Sequence, residues 1–164
     1  MPVSMRKATE AIREMFSMHN WAYAYNEEQD KFTARFNLSK TRLGNVEIQI
    51  RPRPSSADPN VCRAIVAYGR IRLRATPETM APICEYLTRA NLGLSIGNFE
   101  LDHRDGEIRY KVSMNCRDAI PSPHAMEDVI DIPVAMYNRY GDCLLAVSEG
   151  TLSAEEAAKR ADNI

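Results

Sequence analysis

The stretch NFELDHRDGEIRYKV, residues 98–112, decides the fold. Acids and bases crowd there around one histidine and one glycine, so it is either a chemical site or a turn. Its alternation favours the turn. With Asp105-Gly106 at the centre of a two-residue hairpin, Arg104 faces Glu107, Asp102 faces Arg109 and Glu100 faces Lys111. All three pairs are opposite in sign and share one face. The other face sets His103 against Ile108, Leu101 against Tyr110 and Phe99 against Val112. A one-residue slip would destroy both patterns together. Each pair contributes roughly 0.2–1 kcal/mol, so the ladder selects register more than it stabilises. Asp102 and His103 point to opposite faces of a strand, which argues against a shared ion or an acid–base pair. His103 is expected as a half-buried ring near the sheet edge.

Working back from the hairpin, residues 62–75 read as a long strand bent at Gly69, with Ile65, Ala67, Ile71 and Leu73 inward and Arg70, Arg72 and Arg74 outward. Val46, Ile48 and Ile50 share one face of a preceding strand, which the proline-rich PRPSSADPN should close as a loop. Trp21, Tyr23 and Tyr25 alternate, NEEQD turns, and Phe32, Ala34, Phe36 and Leu38 alternate again, giving a hairpin. Before it, Met5, Ala8, Ile12, Met15 and Phe16 recur at helical spacing behind a Ser4 cap.

Thr76-Pro77-Glu78 carries the cap, proline and acid of a helix start, opening a helix with Met80, Ile83, Cys84 and Leu87 on one face and a stop near Gly93. Ser122-Pro123 repeats the signal for a third helix, which Pro133 should kink. Ser153 and Glu156 form a capping box for a short tail helix, 153–164, with little to bury. The 164 residues suit a single domain, 45% hydrophobic and 26% charged, within the ordinary globular range.

Candidate chemistry is sparse. No apolar run is long enough to span a bilayer and no signal peptide opens the chain, which points to the cytoplasm. Cys62, Cys84, Cys116 and Cys143 show no ligand spacing and read as buried free thiols. Glu127, Asp128 and Asp131 lie in the first turns of a helix, where acids are favoured. No phosphate loop or nucleophile motif occurs, so no catalytic, cofactor or metal site is expected.

Charge is uneven. Residues 40–75 carry 8 basic against 2 acidic side chains, and residues 76–164 carry 8 against 15. The basic set Arg51, Arg53, Arg63, Arg70, Arg72 and Arg74 could form an electrostatic footprint for nucleic acid, with Arg70, Arg72 and Arg74 side by side by alternation, but no aromatics interleave RIRLR. The preferred expectation is a solvated strand face, or one covered by the acidic C-terminal region.

The runs EYLTRANLGLSIGNFELDHRDGEIRYKVSMNC (85–116) and AMYNRYGDCLLAVSEGTLSAEEA (135–157) resemble the YbjN family, whose members are similar to type III secretion chaperones. The resemblance implies an α+β fold with one antiparallel sheet and N-terminal, central and C-terminal helices in the order α-β-β-β-β-α-β-β-α. It also implies homodimers, no catalysis, and a role as a regulator of sensory transduction or a chaperone-like adaptor. The leading expectation is therefore a cytoplasmic bacterial regulator that binds a protein or peptide along apolar surface. Met80, Ile83 and Leu87 are its candidate contacts. A nucleic-acid binder using Arg70, Arg72 and Arg74 is the alternative.

Overall fold

The hairpin forms, with its arms two residues out of the expected step. A computed structural model describing residues 1–162 pairs β5 (Asn98–Leu101) with β6 (Glu107–Asn115), placing Phe99 opposite Tyr110, Glu100 opposite Arg109 and Leu101 opposite Ile108. Asp102 N donates to Glu107 O at 2.9 Å and Gly106 N to Asp102 O at 2.8 Å, so the loop spans residues 103–106. Of Asp105 and Gly106, only Gly106 has positive φ, at 74°.

Side chains and a neighbouring strand select this longer loop. The Asp102 carboxylate accepts from Arg104 N at 2.9 Å and from its guanidinium at 2.6 Å, while Asp105 Oδ1 accepts from Glu107 N at 3.0 Å. Ala75 N donates to Gly106 O at 2.9 Å, fastening the loop to the preceding strand. Moving the register by two keeps each paired side chain on its expected face and changes only its partner. Glu100 thus binds Arg109 at 2.7 Å as well as Lys111 at 3.5 Å. His103 is exposed in the loop, not half-buried at the edge.

The other elements follow their local signals with three corrections. Helix α1 (Met5–Met18) starts at Ser4, whose hydroxyl accepts from Lys7 N at 3.2 Å. Strands β1 (Ala24–Asn26) and β2 (Lys31–Asn37) form the first hairpin, and Asp30 ties its turn to α1 by accepting from the Thr9 hydroxyl at 2.8 Å. Strand β3 (Asn45–Pro54) runs on through the prolines expected to end it, with Pro52 opposite Ile65 on β4 (Cys62–Arg74). Its pairing with β2 stops at Ile50, so beyond that point β3 has one free edge, where a missing amide hydrogen is tolerated.

Helix α2 (Met80–Asn91) begins later than expected, because residues 76–79 form a capping turn in which Thr76 N donates to Thr79 Oγ1 at 2.8 Å. Helix α3 (Pro123–Ser148) contains Pro133 and continues past it. Helix α4 (Ala154–Asp162) has the expected capping box, with Ser153 N donating to Glu156 at 3.1 Å and Glu156 N to Ser153 Oγ at 3.2 Å. It buries more than expected: Ala154, Ala157, Ala158 and Ala161 are all in the core.

The result is an α+β fold with a six-stranded antiparallel sheet in the order β1-β2-β3-β4-β6-β5. The helices lie on the face formed by Phe32, Ile48, Ile50, Ala67, Tyr110 and Val112. Phe16 of α1 stacks on Phe32, and the Tyr137 hydroxyl of α3 donates to Gly69 O at 2.9 Å. Gly69 is small for a reason: a Cβ there would lie 2.9 Å from the Pro133 Cβ. Helix α2 clamps the sheet edge, where Asn91 accepts from Phe99 N at 2.7 Å and donates to Phe99 O at 2.9 Å.

Candidate interaction surface

The expected apolar docking stripe is not on the surface. Ile83 is 0% and Leu87 3% exposed, packed beneath α4, α3 and β5, and Met80 is only partly buried at the margin. Small alanines let α4 approach closely enough to cover α2, so what the stripe offers is internal packing. Tyr86 on the same helix donates to Tyr140 O at 2.8 Å, and burial raises its phenol pKa.

What remains open is the sheet face opposite the helices. Strand registers fix its composition row by row. One row runs Arg35, Glu47, Arg70, Arg109, Glu100 across β2, β3, β4, β6 and β5. The next runs Thr33, Gln49, Tyr68, Lys111, Asn98, followed by Arg51, Val66 and Ser113, then Arg53, Ala64 and Asn115. Lys31, at the start of β2, lies on the same side by alternation. Together these rows carry seven cations, while Glu47, Glu100 and the adjoining Glu107 supply three carboxylates. The chain as a whole is −1, so the rest of the molecule is acidic and this face is its positive pole.

Local pairing differs along the face. Arg70 pairs with Glu107 and lies 3.9 Å from Glu47; its charge is stabilised first by the Glu107 hydrogen bond. Arg74 pairs with Asp105 at 3.0 Å. Arg72 is exposed beside them in a small cleft of about 290 Å³. The three expected arginines are therefore together, but two are committed to carboxylates from β3, β6 and the 103–106 loop. Glu47 comes from the neighbouring strand β3, while Glu107 and Asp105 belong to the acidic region 76–164, which reaches these arginines through β6 and its loop.

Tyr68 lies mid-face with the Arg109 guanidinium 4.3 Å from its ring centroid, which orients that cation and occupies one side of the ring. Arg51 is half-buried, and its Nε is a buried donor without a hydrogen-bond partner. Arg51 and Arg53 belong to the basic set read from the sequence and Lys111 to the hairpin ladder, whereas Tyr68 was not singled out. Alternation places each outward, but only the cross-strand register assembles them into one surface.

The remaining candidates do not converge. His19 Nε2 lies 2.9 Å from Glu127 Oε1 and stacks on Trp21, while burial, with Glu127 and Asp128 nearby, raises the Asp131 pKa. Among the described residues no group of three or more His, Cys, Asp or Glu is placed to hold a metal ion. All four cysteines are free, three of them buried, and Cys84 is half-buried. No described helix is long and apolar enough to cross a membrane.

Comparison with known proteins bears on this geometry. Residues 8–146 match the model of a family described as "Putative bacterial sensory transduction regulator". A search of curated proteins finds no match. Among solved structures the fold is similar to "YbjN, a putative transcription regulator from E. coli", with a TM-score of 0.59 at 8% identity, covering 87% of this chain and 92% of that one. At that identity the likeness is one of fold.

Proposed function

The chain belongs to the YbjN family, and from that premise we propose that it is a non-enzymatic regulator acting by contact. Its open, positively charged sheet face receives an acidic segment of a protein partner in the cytoplasm. The observation that carries this reading is the excess of cations on the sheet face opposite the described helices. Such a face attracts a negative partner over a distance of about one Debye length and sets its orientation on arrival.

A homodimer fits this arrangement if it leaves the sheet free. Two copies joined by the basic face would bring like charges together. Exposed Leu92 and Ile96 instead adjoin a shallow cleft of about 260 Å³ lined by Leu94, Ile132 and Met136, giving an apolar patch on another side. Burial of such a patch favours pairing.

Nucleic acid is the second reading, supported by the same positive face and by the exposed Arg72. Against it stand the carboxylates set among the cations and the single face aromatic, Tyr68, already occupied by Arg109. Fluorescence anisotropy with a labelled oligoglutamate peptide and with a DNA duplex of equal charge, over a salt series, separates the two. The peptide should bind, more weakly as salt rises, and replacing both Arg51 and Arg53 with alanine should reduce affinity several-fold. Tighter binding of the duplex, lost in the Arg70→Ala/Arg72→Ala/Arg74→Ala variant, would replace this reading with the second. Light scattering during size-exclusion chromatography tests the dimer, which a monomer at all concentrations would exclude.

A further inference from the structure

Two cysteines far apart in sequence meet at one end of the sheet. Cys62 opens β4, and Cys116 follows β6, its amide donating to Arg63 O at 3.0 Å. Strands about 4.8 Å apart that rise about 3.4 Å per residue put the Cys62 and Cys116 Cα atoms about 6 Å apart. A disulfide bridges Cα separations of about 4.4–6.8 Å. Where the β3–β4 register shifts, Pro54 pairs with Cys62 and not with Arg63, and both Cys62 and Cys116 end fully buried while Arg63 points outward. Each thiol donates to a backbone carbonyl of its own strand, Cys62 Sγ to Ala64 O at 3.4 Å and Cys116 Sγ to Met114 O at 3.7 Å.

The pair is close to solvent although buried. Cys62 lines a surface cleft of about 640 Å³ with Pro2, Ser55 and Arg117. Its cover is the segment at residues 1–4, attached through Val3 O, which accepts from Cys62 N at 2.8 Å, and a bridge between Ser4 and Val61. So few backbone bonds let the segment open locally without unfolding the sheet. Cys84 and Cys143, by contrast, sit on α2 and α3.

We propose that Cys62 and Cys116 form a reversible redox pair, with Cys62 attacking hydrogen peroxide that enters the cleft and Cys116 closing a disulfide. In the first step the Cys62 sulfur bonds to one peroxide oxygen, the O–O bond breaks, and the leaving hydroxide takes a proton to become water. In the second, Cys116 gives up its proton, its sulfur attacks the Cys62 sulfenic acid, and the S–O bond breaks to release a second water. Two thiols lose two electrons, and one peroxide becomes two waters. The division of roles follows from position: Cys62 lines the cleft and Cys116 does not, and the neighbouring thiol draws the Cys62 pKa down while Cys62 and burial push that of Cys116 up.

The full chain, treated with a few equivalents of hydrogen peroxide and alkylated, is digested with trypsin. The expected product joins peptides 43–63 and 112–117, with loss of two hydrogens, and is separated again by dithiothreitol. Cys116→Ser should stop at a dimedone-reactive Cys62, and Cys62→Ser should leave Cys116 unmodified. Circular dichroism checks that each variant is folded, and the untreated wild type supplies the same reading if one is not. Over-oxidised Cys62 without the cross-link, or Cys84 reacting while the pair stays reduced, would overturn the proposal.

Discussion

Replacing Gly106 with alanine separates the four-residue loop from the two-residue turn that the sequence suggests. In the observed loop Gly106 has a φ of 74°, where an L side chain costs about 1–2 kcal/mol. A Cβ there would also lie 2.0 Å from Ala75 O, a backbone atom that cannot turn aside. Making room must displace the end of β4 and weaken the 2.9 Å bond from Ala75 N to Gly106 O, a bond worth about 0.5–1.5 kcal/mol. Overpacking adds about 1–3 kcal/mol. The sum is at least about 2.5 kcal/mol, equivalent at this chain length to a Tm lower by at least about 5–10 °C. Calorimetry and urea titration of Gly106→Ala measure it. Asp105→Gly is the companion, because a two-residue turn with positive φ at both positions would tolerate glycine there. In the observed loop that change loses the Asp105 bonds to Glu107 N and Arg74, and destabilises. A Tm shift under about 2 °C for Gly106→Ala, with Asp105→Gly neutral, would refute the loop and its contact with Ala75.

Ala157, fully buried in α4, should not accept a larger side chain: Ala157→Leu is expected to cost about 1–3 kcal/mol, read from the urea midpoint. The same variant should bind a hydrophobic dye if α4 is forced off Ile83 and Leu87. Alkaline pH should unfold the protein cooperatively, because burial raises the phenol pKa of Tyr86 and Tyr137 and pushes Tyr110 up to about 12. Their stabilisation is full below the unfolded value near 10 and lost as pH rises from there toward the folded values, at about 1.4 kcal/mol per pH unit for each tyrosine. Absorbance at a phenolate wavelength and circular dichroism should therefore change together; phenolate formation near pH 10 in a still-native protein would contradict the burial.

Alternation is what the sequence reveals most reliably, and its limit is visible at the hairpin. Period two assigns Phe99, Leu101, Ile108 and Tyr110 to one face and Glu100, Arg109 and Lys111 to the other, and those assignments hold. It cannot distinguish registers that differ by two, since both give the same faces. That choice falls to Asp102, Asp105 and the contact between Gly106 and Ala75, which joins residues far apart in the chain. Pro52 shows the same dependence on neighbours: a proline argues against a strand only where both edges are paired, and β2 has already ended there. The alanines of α4 looked too small to bury much, whereas closeness of approach to α2 is what they provide.

These departures change which surface can carry a function. An amphipathic helix with Met80, Ile83 and Leu87 in line looks like a docking site only while nothing else in the chain needs that stripe. Once α4 takes it, that stripe is spent inside the molecule, and on the sheet side charge distribution becomes the main feature left for a partner to recognise. The arginine strand follows the opposite course. Arg70 and Arg74 lose freedom to Glu47, Glu107 and Asp105; the exposed Arg74–Asp105 pair exchanges readily with a competing anion, whereas the mostly buried Glu107 holds Arg70. Arg51, with a buried donor lacking a partner, and Arg53 stand farther down the face, away from those acids. An acidic segment laid across the strands would meet Arg51 and Arg53 as its strongest attraction and the carboxylate-bearing row as its limit. Its affinity should therefore depend on salt and on Arg51 and Arg53 more than on Arg70.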